Sequence, residues 1–384
     1  MRIAFFTDCY FPNINGVTTS IFECKKELAK MGHEVFVYAP AFPAYREEDP
    51  RNFRIFSVPF PFQPEYRFSI PACPELLEKA RLEVKPDIVH IHSIFNLGWT
   101  GIWLGKTLKI PVIFTHHTFW EDYCHYFPLI PESWGKKLAR FLEKTAADNC
   151  NLVIAPSAEA KNRLKDLQSK TPVEVLPTGI ELDLFNGEFS PEKKSDGVCN
   201  LLYVGRLGKE KNLPLLLQGL KELQSRGLDA RLLLVGDGPE RPELEKVAAR
   251  LNLGDSAQFL GYRPRSELGA FYQAADLFVF PSVSETQGLV MVEAASSGLP
   301  VVAVDCEVTR ELLAQDIIAA LSPGEPRAFA QKVADLWENP EKLPAVRAAA
   351  MAGAQFFSRE NLTGKLLSFY QKTLSREGKT PLPG

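Results

Sequence analysis

The chain reads as an α/β protein built from two parallel-sheet domains, and three observations carry that reading. Apolar runs of strand length alternate with helix-period patterns along the whole chain, as parallel α/β layers require. The alternation stops at Pro177-Thr-Gly-Ile180 and in the polar, glycine-containing stretch 186–197, then restarts. The length of 384 residues suits two domains of ~100–200 residues each.

In order, residues 3–7 form the first strand and 8–16 a loop, and 17–31 form a helix closed by Gly32. Strands follow at 34–38, 54–58, 87–91 and 112–115; a helix near 134–148 precedes a strand at 152–155, a helix at 158–168 and a strand at 173–176. The second series has strands at 200–204, 231–235, 258–260, 277–280 and 301–304, each followed by a helix. Residues 341–357 and 360–376 are helical, and 378–384 read as a frayed tail. Domain one is expected over 1–177, completed by 359–384, and domain two over 178–358. In such a duplication the ligand belongs in the crevice outside the carboxyl ends of both sets of strands.

A 45% hydrophobic and 24% charged composition is that of a soluble globular protein. The net charge of −3 gives no sign of nucleic-acid binding. Seven dispersed cysteines without a Cys-x-x-Cys spacing suggest reduced thiols and a cytoplasmic location. The first apolar run is too short for a signal peptide. No run approaches 18 apolar residues, so any membrane role is expected to be peripheral, on the inner face of the cell membrane.

The block 280–304 carries the chemistry. A strand ends at Pro281, a loop presents Glu285, and a helix opening near Gly288 contains Glu293, with seven residues between the two acids. Backbone N–H groups of Gln287, Gly288 and Leu289 at that helix start suit phosphate, while the carboxylates suit hydroxyls. Phosphate and hydroxyls together describe a nucleotide-sugar. In Tyr203-Val-Gly-Arg-Leu-Gly-Lys-Glu-Lys-Asn212, Arg206 and Lys211 leave a strand end on one loop, and Asn212 is placed to cap the next helix. Two fixed cations suit a departing diphosphate. By spacing alone, Asn15-Gly16 and Gly236-Asp-Gly-Pro239 are turns.

The stretch 115–126 packs three of the six histidines, two acids and four aromatics after a strand. Its His117, Glu121 and His125 fit no common zinc spacing, so no metal is assigned, and acids and histidines satisfying one another is the plain alternative. The helix from Trp134 sets Leu138, Phe141, Leu142 and Thr145 on one face and Lys136, Lys137, Arg140 and Lys144 around it. That pattern suits an anionic membrane surface or an ordinary core helix with a solvated basic face.

Taken together, these blocks resemble the retaining glycosyltransferases of the two-Rossmann-domain type, the large family that holds sucrose synthases and phosphatidylinositol mannosyltransferases. The spelling Ser284-Glu-Thr-Gln-Gly-Leu289 is most similar to that of bacterial diacylglycerol glucosyltransferases. The resemblance implies a GT-B fold, with two facing Rossmann-like domains, a deep inter-domain cleft and a last helix returning to the first domain. It implies Glu285 and His117 at the donor sugar, Glu293 on the ribose, and Arg206 and Lys211, after Gly205, on the diphosphate. Gly16 would let the diphosphate approach, Asp237 and Gly238 would line the nucleotide, and the backbone at Tyr262 and Arg263 would read the base. The string from His117 through Glu121, Asp122, Tyr123 and His125 is similar to the glycolipid-synthesising branch. The expected donor is UDP-glucose, with GDP-mannose the alternative, no required cofactor, and a diacylglycerol-type lipid as acceptor. Phosphatidylinositol, a polysaccharide or a small molecule is the second choice of acceptor, and a catalytically silent nucleotide-sugar binder is the rival class. Two departures from the family pattern stand at 305–311 and 322–324, outside the donor blocks.

Overall fold

The computed structural model describes residues 1–60, 63–122, 131–185, 197–283, 285 and 287–378, with side chains at 63–66 not described. The chain forms two compact units, Met1–Gly179 with Arg359–Gly384, and Ile180–Ser358.

The first unit runs β1 (Arg2–Phe6), α1 (Gly16–Lys30), β2 (Glu34–Pro40), β3 (Asn52–Ile55), β4 (Ser57–Phe60), β5 (Gln63–Ser69), α2 (Cys73–Lys79), β6 (Ile88–Ile91), α3 (Asn96–Leu108), β7 (Val112–Thr115), α4 (Glu132–Asp148), β8 (Leu152–Ala155), α5 (Ala158–Asp166) and β9 (Val173–Val175). Seven of these strands pair in parallel in the order β3-β2-β1-β6-β7-β8-β9. β6, β7 and β8 are buried at every position, as helices on both faces of a parallel sheet demand. Asn15 caps α1, its Oδ1 accepting from Thr18 N at 3.0 Å.

The run 54–58 is not one strand. β3 ends at Ile55 on the sheet edge, and Ser57 starts β4, which pairs antiparallel with β5 in a separate hairpin. Exposed Phe56 lies at the break, where the chain turns from one sheet to the other.

The second unit runs β10 (Cys199–Val204), α6 (Pro214–Ser225), β11 (Ala230–Val235), α7 (Arg241–Arg250), β12 (Ala257–Gly261), α8 (Arg265–Ala274), β13 (Leu277–Phe280), α9 (Leu289–Ser296), β14 (Val301–Val304), α10 (Glu307–Leu313), β15 (Ala320–Ser322), α11 (Pro326–Trp337) and α12 (Leu343–Ala354). Its six strands are parallel in the order β12-β11-β10-β13-β14-β15. The short edge strand β15 has no counterpart in the sequence reading.

The last helix, α13 (Arg359–Arg376), belongs to the first unit, as the resemblance implied. Arg359, buried at its first position, donates Nε to Glu27 at 3.0 Å and pairs with Glu23, both on α1. Breaking a buried pair of this kind costs about 3–5 kcal/mol, because a bare charge is left behind. The helix is therefore fastened where it enters the unit.

Each sheet reverses its strand order once, between β1 and β6 in the first unit and between β10 and β13 in the second. Loops leaving the carboxyl ends of strands beside such a reversal diverge and leave room for a ligand. Every loop singled out below leaves the carboxyl end of a strand.

Candidate active site

In the second unit the loops after β10 and β13 flank the reversal. Arg206 starts the first loop, with Nη1 3.5 Å from Glu210 Oε1. At the far end of that loop, Lys211 forms an ion pair with Glu285 of the second loop, and the two side chains are 17% and 15% exposed. Ser282 Oγ donates to Glu210 O at 3.4 Å and ties the loops further. Arg206, Lys211 and Glu285, 79 residues apart at most in the chain, thus come together with Glu210, a carboxylate that sequence reading did not single out.

Asn212 does not cap α6. It takes the left-handed conformation, φ 51°, closing a short turn over Lys209–Lys211, and α6 starts at Pro214 without a side-chain cap. A proline opening the helix already lacks the N–H that a cap would satisfy.

The loop after β13 turns into α9 through Gly288, at φ 72°. A Cβ there would lie 2.2 Å from Met291 Cε, the end of a flexible side chain that can give way, so it is the left-handed backbone that calls for glycine. Ser284 and Thr286 lie outside the described residues. Glu293, one turn into α9, is buried and doubly held, accepting from Arg265 Nη2 at 2.9 Å and from Tyr272 OH at 3.0 Å. Burial first and the Glu293 carboxylate second push the Tyr272 phenol well above its usual pKa, so it stays a donor. Arg265 and Tyr272 stand 28 and 21 residues from Glu293, with no local signal to connect them.

The turns after β11 and β12 have a packing reason of their own. Gly205 N donates to Val235 O at 3.0 Å, Leu207 N to Asp237 O at 3.0 Å, and Gly236 N to Gly261 O at 2.9 Å. A Cβ on Gly236 would sit 1.9 Å from Gly205 O, and one on Gly238 2.4 Å from Leu207 O. These glycines let three loops interlock. Asp237 Oδ1 accepts from the N–H of Gly238, while Tyr262 and Arg263 turn their side chains to solvent.

In the first unit, Gly16 is the first residue of α1, and a Cβ there would meet nothing within 4 Å. The chain's own packing does not require glycine at that helix start. Histidines also stand at the carboxyl ends of β6 and β7. His90 is fixed by Tyr370 OH on Nδ1 and Thr115 Oγ1 on Nε2, both at 2.6 Å. His92 Nδ1 lies 3.0 Å from His117 Nε2. Burial holds His90 and His117 at a pKa of about 3, and neighbouring histidine rings push the same way. These are neutral imidazoles at physiological pH. His90 and His92 escaped the sequence reading as site residues, although His90-Ile-His92 at a strand end was visible.

His116 and Glu143 of α4, both 1% exposed, face each other at 3.7 Å, and Glu143 Oε1 accepts from Trp120 N at 2.8 Å. Glu121 and Asp122 pair with Arg163 of α5 at 2.7 and 2.9 Å, and Arg140 reaches Glu121 at 3.4 Å. The acids of this loop are thus satisfied by arginines, not by the histidines beside them. Tyr123 and His125 lie outside the described residues. Among the described residues, no group of three His, Cys, Asp or Glu is placed to hold a metal ion.

On α4 the apolar residues of the expected face divide between core and solvent. Leu142 packs against the core with Ala139 and Ala146 on the inner side. Trp134 (72% exposed), Leu138 and Phe141 (64%) form the outer stripe at helical spacing. Lys136 pairs with Glu132 at 2.6 Å and Lys144 with Asp148 at 2.9 Å, while Lys137 is exposed. Among the described residues, no helix is long and apolar enough to cross a membrane.

Comparison with known proteins converges on one family. The profile described as Glycosyltransferase Family 4 matches residues 14–184, and that described as Glycosyl transferases group 1 matches residues 187–352. The alpha-monoglucosyldiacylglycerol synthase of Streptococcus pneumoniae is 38% identical over 85% of this chain and 76% of its own. The protein of the same name from Acholeplasma laidlawii is 27% identical over 99% of each chain. In fold, the chain matches the sucrose-phosphate synthase of Thermosynechococcus elongatus with a TM-score of 0.77, over 97% of this chain and 99% of the other, at 21% identity. With both halves matched and two parallel Rossmann-like sheets in place, the chain belongs to this family of GT-B glycosyltransferases.

Proposed function

We propose that the protein is a retaining hexosyltransferase that moves glucose from UDP-glucose to a diacylglycerol-type lipid at an anionic membrane surface. The observation that carries the donor half is the cluster of Arg206, Lys211 and Glu285 on two loops at a strand-order reversal, with Glu293 locked on the helix that follows the second loop. Glu293 accepts the ribose hydroxyls, its two carboxylate oxygens offering about four acceptor positions. The diphosphate lies on Arg206, Lys211 and the N–H groups at the start of α9. The sugar meets Glu285, and His117 is proposed as a further sugar-side residue.

In this mechanism Lys211 changes partners. It leaves Glu285 for the diphosphate, whose charge grows as the glycosidic bond breaks, and Glu285 becomes available to sugar hydroxyls. Retention through a covalent intermediate needs a carboxylate nucleophile beneath the anomeric carbon. Glu285, once turned to the sugar hydroxyls, is given an orienting role instead. Leaving and entering groups then share one face, and the departing phosphate takes the acceptor's proton. Two cations and a helix start neutralise the diphosphate, so no metal is needed for it.

The acceptor half rests on the likeness to the two monoglucosyldiacylglycerol synthases. The exposed stripe Trp134–Leu138–Phe141 supports a membrane-facing role for α4. A water-soluble acceptor is the second reading, favoured by the acidic partners that already neutralise Lys136, Arg140 and Lys144. A donor panel tests the proposal: UDP-glucose and GDP-mannose, each with and without diacylglycerol vesicles. Lipid-dependent turnover of UDP-glucose is expected. Turnover of GDP-mannose alone, or none stimulated by lipid, would overturn the respective half.

A further inference from the structure

We infer that the outer face of the β4–β5 hairpin, made by Phe56, Val58, Phe68 and Ile70, is a second lipid-contact surface of the first unit, which seats in the interface of a bilayer together with α4. The inference deepens the membrane-facing role proposed for α4 and rests on it for the identity of the partner.

The hairpin is written inside out. Successive side chains of a strand point to opposite faces, and residues opposite one another in an antiparallel pair share a face. Ser57 stands opposite Ser69 and Val58 opposite Phe68, and at the next position Ile70 N donates to Phe56 O at 2.8 Å. The serine pair faces the protein, 5% and 0% exposed, while Phe56, Val58, Phe68 and Ile70 face out at 66%, 38%, 46% and 50%. A hairpin with one solvated face ordinarily does the reverse.

A slip of one residue in either strand would turn its apolar side chains inward. Specific bonds hold the register against this. Ser57 Oγ donates to Ala41 O at 2.6 Å and accepts from Arg67 Nε at 2.7 Å, and Arg67 Nη2 donates to Ser57 O at 2.6 Å. On the other strand, Asn96 Nδ2 of α3 donates to Ser69 O at 2.8 Å. The outward apolar set is therefore fixed. Apolar side chains exposed together as one patch mark a surface that another apolar body covers.

Size and neighbourhood select that body. A whole aromatic side chain offers ~150–250 Å², so the four partly exposed side chains present roughly 300–400 Å². That is about half of the ~800 Å² that each partner gives to a stable protein interface. A second copy of the chain would need more surface than this face supplies. A bilayer needs no shaped counterpart, and each apolar side chain that enters it adds its own share. The hairpin packs on α3 through β5, and α3 packs on α4. Side chains of α3 and α4 line one core, together with Ile55 next to the hairpin. The exposed stripe Trp134–Leu138–Phe141 and the hairpin face thus belong to elements that flank the same helix.

The test is sedimentation of the full chain with vesicles of equal parts phosphatidylglycerol and phosphatidylcholine. Phe56→Thr/Phe68→Thr keeps strand-forming residues and is expected to weaken partition about ten- to thirtyfold, the worth of two half-exposed phenylalanines. UDP affinity and melting temperature are expected to stay at their wild-type values. Val58→Thr/Ile70→Thr, on the same face, is expected to weaken partition by a smaller factor. Phe68→Trp is expected to keep partition, with its added fluorescence quenched by lipids brominated on their acyl chains. Wild-type partition in both double variants, or an added tryptophan that brominated lipid does not quench, overturns the inference and leaves the role of α4 standing. A wild-type protein that ignores the vesicles overturns both. A wild-type dimer that the double substitutions dissociate would give the face to a second copy, and overturns the lipid assignment.

Discussion

Replacing Lys211 by Met separates the structural from the chemical work of one ion pair. The Lys211 and Glu285 side chains are 17% and 15% exposed, between the surface and the core. Exposed pairs are worth about 0.2–1 kcal/mol, and breaking a buried one costs about 3–5 kcal/mol. A stability loss of about 1–2 kcal/mol is therefore expected in the empty protein, or roughly 2–8 °C for a unit of this size. Turnover should fall much further, by about 10²–10³, because the charge that Lys211 meets on the diphosphate develops in the transition state. The double variant Lys211→Met/Glu285→Gln removes both charges, so its melting temperature should return towards that of the wild type while turnover stays low. Thermal unfolding and initial rates with saturating UDP-glucose read the two effects separately. Wild-type turnover in the single variant, or turnover restored in the double, would refute the diphosphate role of Lys211.

Other outcomes follow from the same geometry. Glu293→Gln should weaken UDP and UDP-glucose binding alike, whereas Glu285→Gln should spare UDP and weaken only UDP-glucose; calorimetry on both ligands checks this, and a swapped pattern would contradict the roles. Stability should fall as pH drops from 7 to 5. His90 has a folded pKa of about 3 against 6.5, so the unfolded chain takes up the proton first, at a cost of about 2 kcal/mol by pH 5. Asp8, raised by burial, works in the opposite direction at lower pH; a flat denaturant midpoint between pH 7 and 5 would contradict a neutral buried His90. Changing Trp134, Leu138 and Phe141 to Ser should weaken sedimentation with anionic vesicles at least about thirtyfold, since burying even one such side chain contributes roughly 2 kcal/mol. Charge removal at Lys136, Lys137, Arg140 and Lys144 should release the protein less completely, because three of the four have acidic partners. Activity should survive excess chelator, and a metal-reversible loss would count against the proposed mechanism.

Much of the fold was legible because parallel strands buried on both faces must be written as short apolar runs. Strands such as Leu277–Phe280 and Val301–Val304 stand in the sequence almost to the residue. Elements at the sheet margins carry weaker signals. β4, exposed at Val58 and Pro59, pairs with β5 in a hairpin apart from the main sheet, and β15 has only three residues. The motif residues were visible as strings, yet their partners were not. Nothing local links Glu293 to Arg265 and Tyr272, or His90 to Tyr370, 280 residues away. Periodicity alone does not say which side of a helix meets the core, and on α4 the apolar face is divided, with Leu142 inward and Leu138 and Phe141 outward.

The configuration at the anomeric carbon of the product tests the central claim most directly. UDP-glucose carries its glucose in the α configuration, so a retaining transfer must yield an α-glucoside. NMR of the lipid fraction after incubation with UDP-glucose and diacylglycerol vesicles reads that configuration from the anomeric proton coupling. The account predicts α-glucosyl diacylglycerol; a β-glucoside, or glucose found only on water-soluble products, would contradict it.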